Sequence, residues 1–403
     1  MTIDTLEAMA LKNNPTLAQA TAQVRAARGA AYQAGRYLNP VIGYTSDQIG
    51  VSGTAGEFQG GFIAQEFVTA GKLRISREKY AQRARIAETN LQAQQQRVFN
   101  DVRIAFYRAA AAQRLVEIHR QLLANGEDNL QTHKEMLNLG QTNQAGLLQA
   151  EVDLQRDRLN LQAAQNSFLR TWRDLVSLVG VPDLAPQPLA DHPGPGEGPL
   201  AWDAALNQLL THSPELIAAW EKVRHDQIAV RRERVEPIPN ILVDARVGRN
   251  FETRETVSGV SVGIPLPIYD RNRGTVRQAL ADLARSQAET RRLELELRTR
   301  LAAHYRDYQT AWQHVEGSRT IMLPKAKKAY DLLHAGYKKR RVAWPAVLRA
   351  QRRHLDLQAE YTNNLLRYRE ADVAIRGMLL TGGLTEPAGP ISGGHIDATP
   401  KPR

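Results

Sequence analysis

Ile241-Leu242-Val243-Asp244-Ala245-Arg246-Val247-Gly248 and, a few residues on, Gly259-Val260-Ser261-Val262-Gly263-Ile264 decide the fold of this chain. In the first stretch Ile241, Val243, Ala245 and Val247 alternate with Leu242, Asp244, Arg246 and Gly248; in the second, Val260, Val262 and Ile264 alternate with Gly259, Ser261 and Gly263. Successive side chains of a strand point to opposite faces. Period two therefore puts apolar groups on one face and mostly small, polar or charged groups on the other. Between the stretches, Gly248 to Thr256 is polar and predicts a hairpin tip. A soluble sandwich edge and a tilted membrane-barrel strand both carry this pattern.

The same arrangement stands earlier in the chain. Val41–Asp47 and Phe58–Phe67 are strand candidates, separated by the Gly/Ser/Thr-rich Gln48 to Glu57. Asn14-Pro15-Thr16-Leu17 has its counterpart 199 residues on in Ser213-Pro214-Glu215-Leu216, and Asn39-Pro40 recurs at the same distance as Ile238-Pro239. Tyr107-Arg108 recurs as Tyr305-Arg306 after 198 residues, and Leu148-Gln149-Ala150 as Leu348-Arg349-Ala350 after 200. A nearly constant offset over so long a span predicts a tandem duplication. Residues 1–180 form the first copy and 201–381 the second. The Pro- and Gly-rich 181–200 is their linker, and the similar 382–403 is expected to be a disordered tail.

Each copy predicts a helix, two strands, a very long helix and a returning helix. From Lys72 to Gly140 there is no Pro and one internal Gly, Gly126. A continuous helix of that span is roughly 100 Å long at 1.5 Å per residue. In the returning helix Leu147, Ala150, Leu154, Asp157, Leu161, Ala164, Phe168, Thr171, Leu175 and Leu178 step by three and four in alternation. That 3.5-residue period is a coiled-coil seam. The helices alone fit a soluble coiled-coil scaffold as well as the wall of a tunnel.

Counting strands separates the two. One chain supplies four, whereas a membrane barrel needs about eight and lipid tolerates no open edge. A barrel built from this chain is therefore shared between copies. The absence of Cys from the totals fits an oxidising compartment. Among 403 residues there is no Cys, which excludes disulfides, thiolate metal sites and a Cys nucleophile. The net charge of +11 raises nucleic acid as a partner, but Arg and Glu alternate along the helices as on a solvated face, so no nucleic acid is expected. No apolar run is long enough for a spanning helix. Met1-Thr2-Ile3-Asp4 shows no signal peptide, which read alone indicates the cytoplasm; the repeat predicts instead that the chain begins where a mature exported chain begins. The ten His show no i, i+4 pair and no His-Glu-x-x-His, so neither metal nor cofactor is expected. No catalytic constellation is visible.

Thr2-Ile3-Asp4-Thr5-Leu6-Glu7-Ala8-Met9-Ala10-Leu11 followed by Lys12-Asn13-Asn14-Pro15 resembles the mature start of TolC-type outer-membrane factors. Pro265-Leu266-Pro267-Ile268-Tyr269-Asp270-Arg271-Asn272-Arg273-Gly274 is similar to the strand-to-helix turn of their second repeat, particularly in the heavy-metal-efflux branch. Asp270, Arg271, Asn272 and Gly274 are then turn residues. The resemblance covers Met1 to about Leu384. It implies a mainly α fold with a small β part: a homotrimer with a twelve-stranded barrel in outer-membrane lipid and a helical tunnel across the periplasm. It also implies a periplasmic adaptor and an inner-membrane pump, most often of the RND type, as partners. The hairpin tips that meet the adaptor fall at Leu139, Gly140 and Gln141 and at Lys338, Lys339, Arg340 and Arg341. At the second tip Arg340 stands where the family has Gly, which leaves that turn's geometry open. Carboxylates that line the tunnel entrance in many members are replaced here by Ala346 and Arg349, so the resemblance does not define the cargo.

Overall fold

The computed structural model of the chain describes residues 1–50, 57–189 and 198–389. The middle of the first strand hairpin with Gly53 and Gly56, part of the linker and residues 390–403 of the expected tail lie outside the described residues.

The element order repeats. Helices α1 (Ile3–Asn13) and α2 (Pro15–Ala34) lead to strands β1 (Val41–Asp47) and β2 (Phe58–Phe67), the rod α3 (Lys72–Asn138) and the returning α4 (Gln144–Val179). Then come α5 (Trp202–His212), α6 (Pro214–Val235), β3 (Ile241–Asn250), β4 (Thr256–Gly263), α7 (Arg273–Gly317), α8 (Leu323–Lys338) and α9 (Trp344–Arg376). Pro15 and Pro214 each open a helix, where a missing N–H costs nothing. The second rod is not uniform: a π-helix, Ser318–Met322, joins α7 to α8. The repeat offset explains it. Tyr107 and Tyr305 are 198 apart and Gly140 and Arg340 are 200 apart, so the second copy carries extra residues in between. A wider turn absorbs an insertion without breaking the helix, and the Leu323 amide bonds the Ser318 carbonyl there.

The chain forms two compact units, and each takes segments from both sequence halves. The first comprises Met1–Ala18, Ala93–Ser213 and Leu295–Glu386. Its apolar centre packs Leu6 and Ala10 of α1 with Val98, Val102 and Phe106 of α3 and with Trp172, Leu175 and Val176 of α4. Each large side chain buried there contributes roughly 1.5–3 kcal/mol. In the second copy's share of this unit, Tyr308 stacks on Tyr368 with ring centres 5.1 Å apart, and both rings are buried. The seam of α4 is real. All ten seam positions are buried or half-buried, whereas between Leu148 and Arg170 every other position except Asp153 is exposed. The first residues of the expected tail are tied down: the amides of Gly382 and Gly383 donate to Asp101 Oδ2 at 3.0 and 2.6 Å.

Of the described residues, the second unit comprises 19–50, 57–92, Pro214–Glu294 and 387–389. It holds one antiparallel sheet in the order β1-β2-β3-β4. The central pairing joins the two copies, with Phe58 opposite Asn250 and Phe67 opposite Ile241. Ile42, Ile63, Ala245 and Val260 fall in register on one face, beside Tyr44, Val247, Val243 and Val262. Most of these apolar groups are exposed, Ile42 and Val260 at 78% and 74%. The opposite face carries Asp47, Asp244, Arg246 and Ser261, with Arg246 and Asp47 paired at 3.4 Å. The alternation expected from Ile241–Gly248 is thus the observed two-faced sheet. Gly60 and Gly248 face each other so closely that a Cβ on either meets backbone at 2.3 Å.

Polar contacts join α3 and α6 in this unit. Arg232 Nε donates to Ser76 Oγ at 2.9 Å, Arg231 pairs with Glu78 at 2.7 Å, and Gln82 donates to Glu221. Buried His225 lies 2.9 Å from Asp226. Among the described residues no helix is long and apolar enough to cross a membrane.

Candidate functional site

The two helical-hairpin tips belong to the first unit and have the same backbone. At the first, Gly140 takes φ 68°, its amide bonds the Leu137 carbonyl at 3.0 Å and the Gln141 amide reaches the Met136 carbonyl at 2.8 Å. At the second, Arg340 takes φ 56°, its amide bonds the Tyr337 carbonyl at 2.8 Å and the Arg341 amide reaches the Gly336 carbonyl at 2.9 Å. Both are Schellman turns, closed by a bond spanning five residues. The geometry left open by the missing Gly is therefore kept, at a cost of roughly 1–2 kcal/mol for a Cβ in the left-handed region. The exits differ. Asn143 caps α4 by accepting from the Gly146 amide at 3.0 Å, whereas α9 starts from Ala343 with no side-chain cap and with Pro345 in its first turn.

What the tips display is opposite in kind. Leu139 is 71% exposed at the first, beside Gly140 and Gln141, and no charge stands in the turn. Lys338, Lys339, Arg340 and Arg341 are all exposed at the second. The contrast extends along the hairpins. Residues 325–353 carry Lys325, Lys327, Lys328, Lys338, Lys339, Arg340, Arg341, Arg349, Arg352 and Arg353 against Asp331 alone. The matching 125–153 carries Glu127, Asp128, Glu135, Glu151 and Asp153 against Lys134 alone. An aromatic clasp braces the second turn: the Tyr337 and Trp344 rings lie 4.7 Å apart, and His334 stacks on Tyr330.

Of the expected entrance residues, Ala346 is half-buried and Arg349 exposed, one helical turn into α9. The strand-to-helix residues sit in the second unit, on a different piece of structure from the tips. There the Asn272 amide donates to Asp270 Oδ1 at 2.8 Å, and Asn272, at φ 56°, bonds Glu233 through Nδ2 at 2.9 Å. Arg271 and Gly274 are exposed.

One pair escaped the sequence reading. Arg352 of α9 holds Asp157 of α4 through two bonds, 2.8 and 2.6 Å, and the Asp157 carboxylate is 1% exposed. These hydrogen bonds hold the Arg352 guanidinium above its ordinary pKa. A Cβ on Gly126 would stand 2.7 Å from Asp157 Oδ2, so the one glycine of the rod makes room for the carboxylate. A carboxylate on the seam and a lone Gly within α3 were the visible signals. Nothing local in sequence linked either to Arg352.

The profile of the outer membrane efflux protein family matches residues 6–181 and 205–380. The chain belongs to that family, whose members are channel proteins of the outer membrane. It is 23% identical over 212 residues to the cobalt-zinc-cadmium resistance protein CzcC of Cupriavidus metallidurans, an alignment spanning 53% of this chain and 49% of that one. It is 24% identical over 296 residues to the nickel-cobalt-cadmium resistance protein NccC of Alcaligenes xylosoxydans xylosoxydans, spanning 70% and 64% of the two chains. The alignments thus span about half of the first relative and under two thirds of the second. The solved outer-membrane channel OprN superposes with a TM-score of 0.74 at 19% identity, covering 94% of this chain and 90% of that one.

Proposed function

We propose that this chain is the channel subunit of a tripartite export system. Three copies close their sheets into a twelve-stranded barrel in the outer membrane, and their rods form the periplasmic tunnel. The tips at Leu139–Gln141 and Lys338–Arg341 dock a periplasmic adaptor that couples the duct to an inner-membrane pump, of the RND type. The two tandem copies, 1–180 and 201–381, each supply one strand hairpin and one helical hairpin across the linker 181–200. The duct is passive, and energy comes from the pump.

The observation that carries this reading is the sheet. Its apolar face is exposed, and among the described residues of one chain β1 and β4 each have one neighbour. Lipid tolerates an apolar face but not an open edge, so closure by further copies satisfies both strands at once. The test is the mass and symmetry of the purified assembly, with its conductance in a planar bilayer. A threefold, detergent-requiring, conducting particle is expected. A monodisperse monomer in plain buffer would overturn the reading.

A further inference from the structure

We infer that the α8–α9 hairpin selects the docking partner by charge, and that it fits an acidic helical segment of a partner protein. The α3–α4 hairpin supplies shape at its neutral tip and no attraction for such a partner. The inference rests on the reading that the tips dock a periplasmic protein, and it specifies that protein's chemistry.

Among the described residues Lys338, Lys339, Arg340 and Arg341 form no ion pair, while arginines elsewhere do, as Arg103 does with Glu7 at 2.5 Å and Arg231 with Glu78 at 2.7 Å. The four cations stand on a fixed support. The Arg341 amide closes the turn onto Gly336, Trp344 packs on Tyr337, and a Cβ on Gly336 would come within 2.9 Å of Val342. Arg340 holds the left-handed conformation that Gly140 holds at the first tip, so a cation is displayed where glycine is the relaxed choice. Four adjacent cations lie well within one screening length and raise one another's potential; a partner's carboxylates relieve it and are drawn in faster. A second copy of this chain does not suffice as the occupant. Its matching segment offers half as many carboxylates as the basic hairpin has cations, which leaves a positive excess.

The test uses the full chain in its detergent-held assembly and two labelled helical-hairpin peptides of one design, one with glutamates and one with lysines at the turn. At ~50 mM salt the glutamate peptide binds about tenfold more tightly by fluorescence anisotropy, and ~300 mM salt removes most of the difference. Lys338→Glu with Lys339→Glu abolishes the preference, whereas Glu127→Gln with Asp128→Asn leaves it unchanged. Equal binding of the two peptides, or a preference that survives the lysine substitutions, overturns the inference. Equally tight binding of phosphatidylglycerol vesicles also overturns it, because the surface then answers to any anion. Bilayer conductance of the doubly substituted chain reports whether the duct assembled. Absence of conductance in the unsubstituted chain would instead count against the channel reading.

Discussion

At the first tip Gly140 turns the chain at φ 68° among neutral neighbours; at the second Arg340 makes the same turn at φ 56° inside a run of four cations. Duplication has preserved the backbone bonds, Gln141 to Met136 and Arg341 to Gly336, while the displayed chemistry has diverged. Turn geometry is set by hydrogen bonds that any side chain tolerates at a modest cost. Surface charge is not constrained by folding and is free to follow a partner. Five tests break or sharpen that contrast.

The largest effect is expected where the two hairpins are joined. Arg352→Ala leaves the buried Asp157 carboxylate without its partner and should cost about 3 kcal/mol, read as a fall in the denaturation midpoint. Arg352→Lys keeps the charge but not the double bond and should lose less. An unchanged midpoint for Arg352→Ala would mean that the hairpins do not depend on this pair. Next comes Leu161→Asp, which puts a carboxylate on the half-buried seam of the first hairpin and should cost about 2 kcal/mol. If assembly and melting survive it, the seam is not packed in the duct.

Acid probes both hairpins at once. Burial depresses the pKa of His119 on α3, which nearby Asp157 and Asp356 partly restore, and of His354 on α9, where Lys327 adds to the depression. Burial likewise depresses His225 in the second unit. A histidine held neutral in the fold takes up its proton more readily when unfolded. Stability is therefore complete above the ordinary value of 6.5 and is lost as pH falls from there through the lower value each ring has in the fold. The melting temperature should drop by a few degrees between about pH 7 and 5, and His354→Gln should shrink that drop. A flat profile would show that these rings are not closed off from water.

The turns themselves give smaller, opposite changes. Arg340→Gly relaxes a left-handed residue and should gain about 1 kcal/mol, while Gly140→Ala introduces the same strain and should lose about as much. Equal signs would mean the two turns are not equivalent. The last effect is small in energy but visible in current. If Ala346 and Arg349 line the entrance of the proposed channel, the channel should favour anions weakly, and Arg349→Asp should shift its reversal potential toward cations. A strongly cation-selective channel that ignores Arg349→Asp would place the controlling constriction elsewhere.

The sequence by itself determined the periodic features. Period two in Ile241–Gly248, period 3.5 from Leu147 to Leu178 and the 199-residue offset of Asn14-Pro15 and Ser213-Pro214 are properties of neighbours along the chain. They translate directly into a two-faced sheet, a buried seam and a repeated order of elements. Local chemistry was also legible: Asp270 and Asn272 form the turn that their side chains favour. Only the tertiary structure decided which distant residues meet. It paired β2 with β3 across the two copies and built each compact unit from both halves. It also set Arg352 on Asp157 in the space that Gly126 leaves. The Arg352–Asp157 contact joins residues 195 positions apart, and a one-dimensional pattern carries no record of it. It forms because a buried carboxylate must find a cation, and the fold decides which one lies within reach.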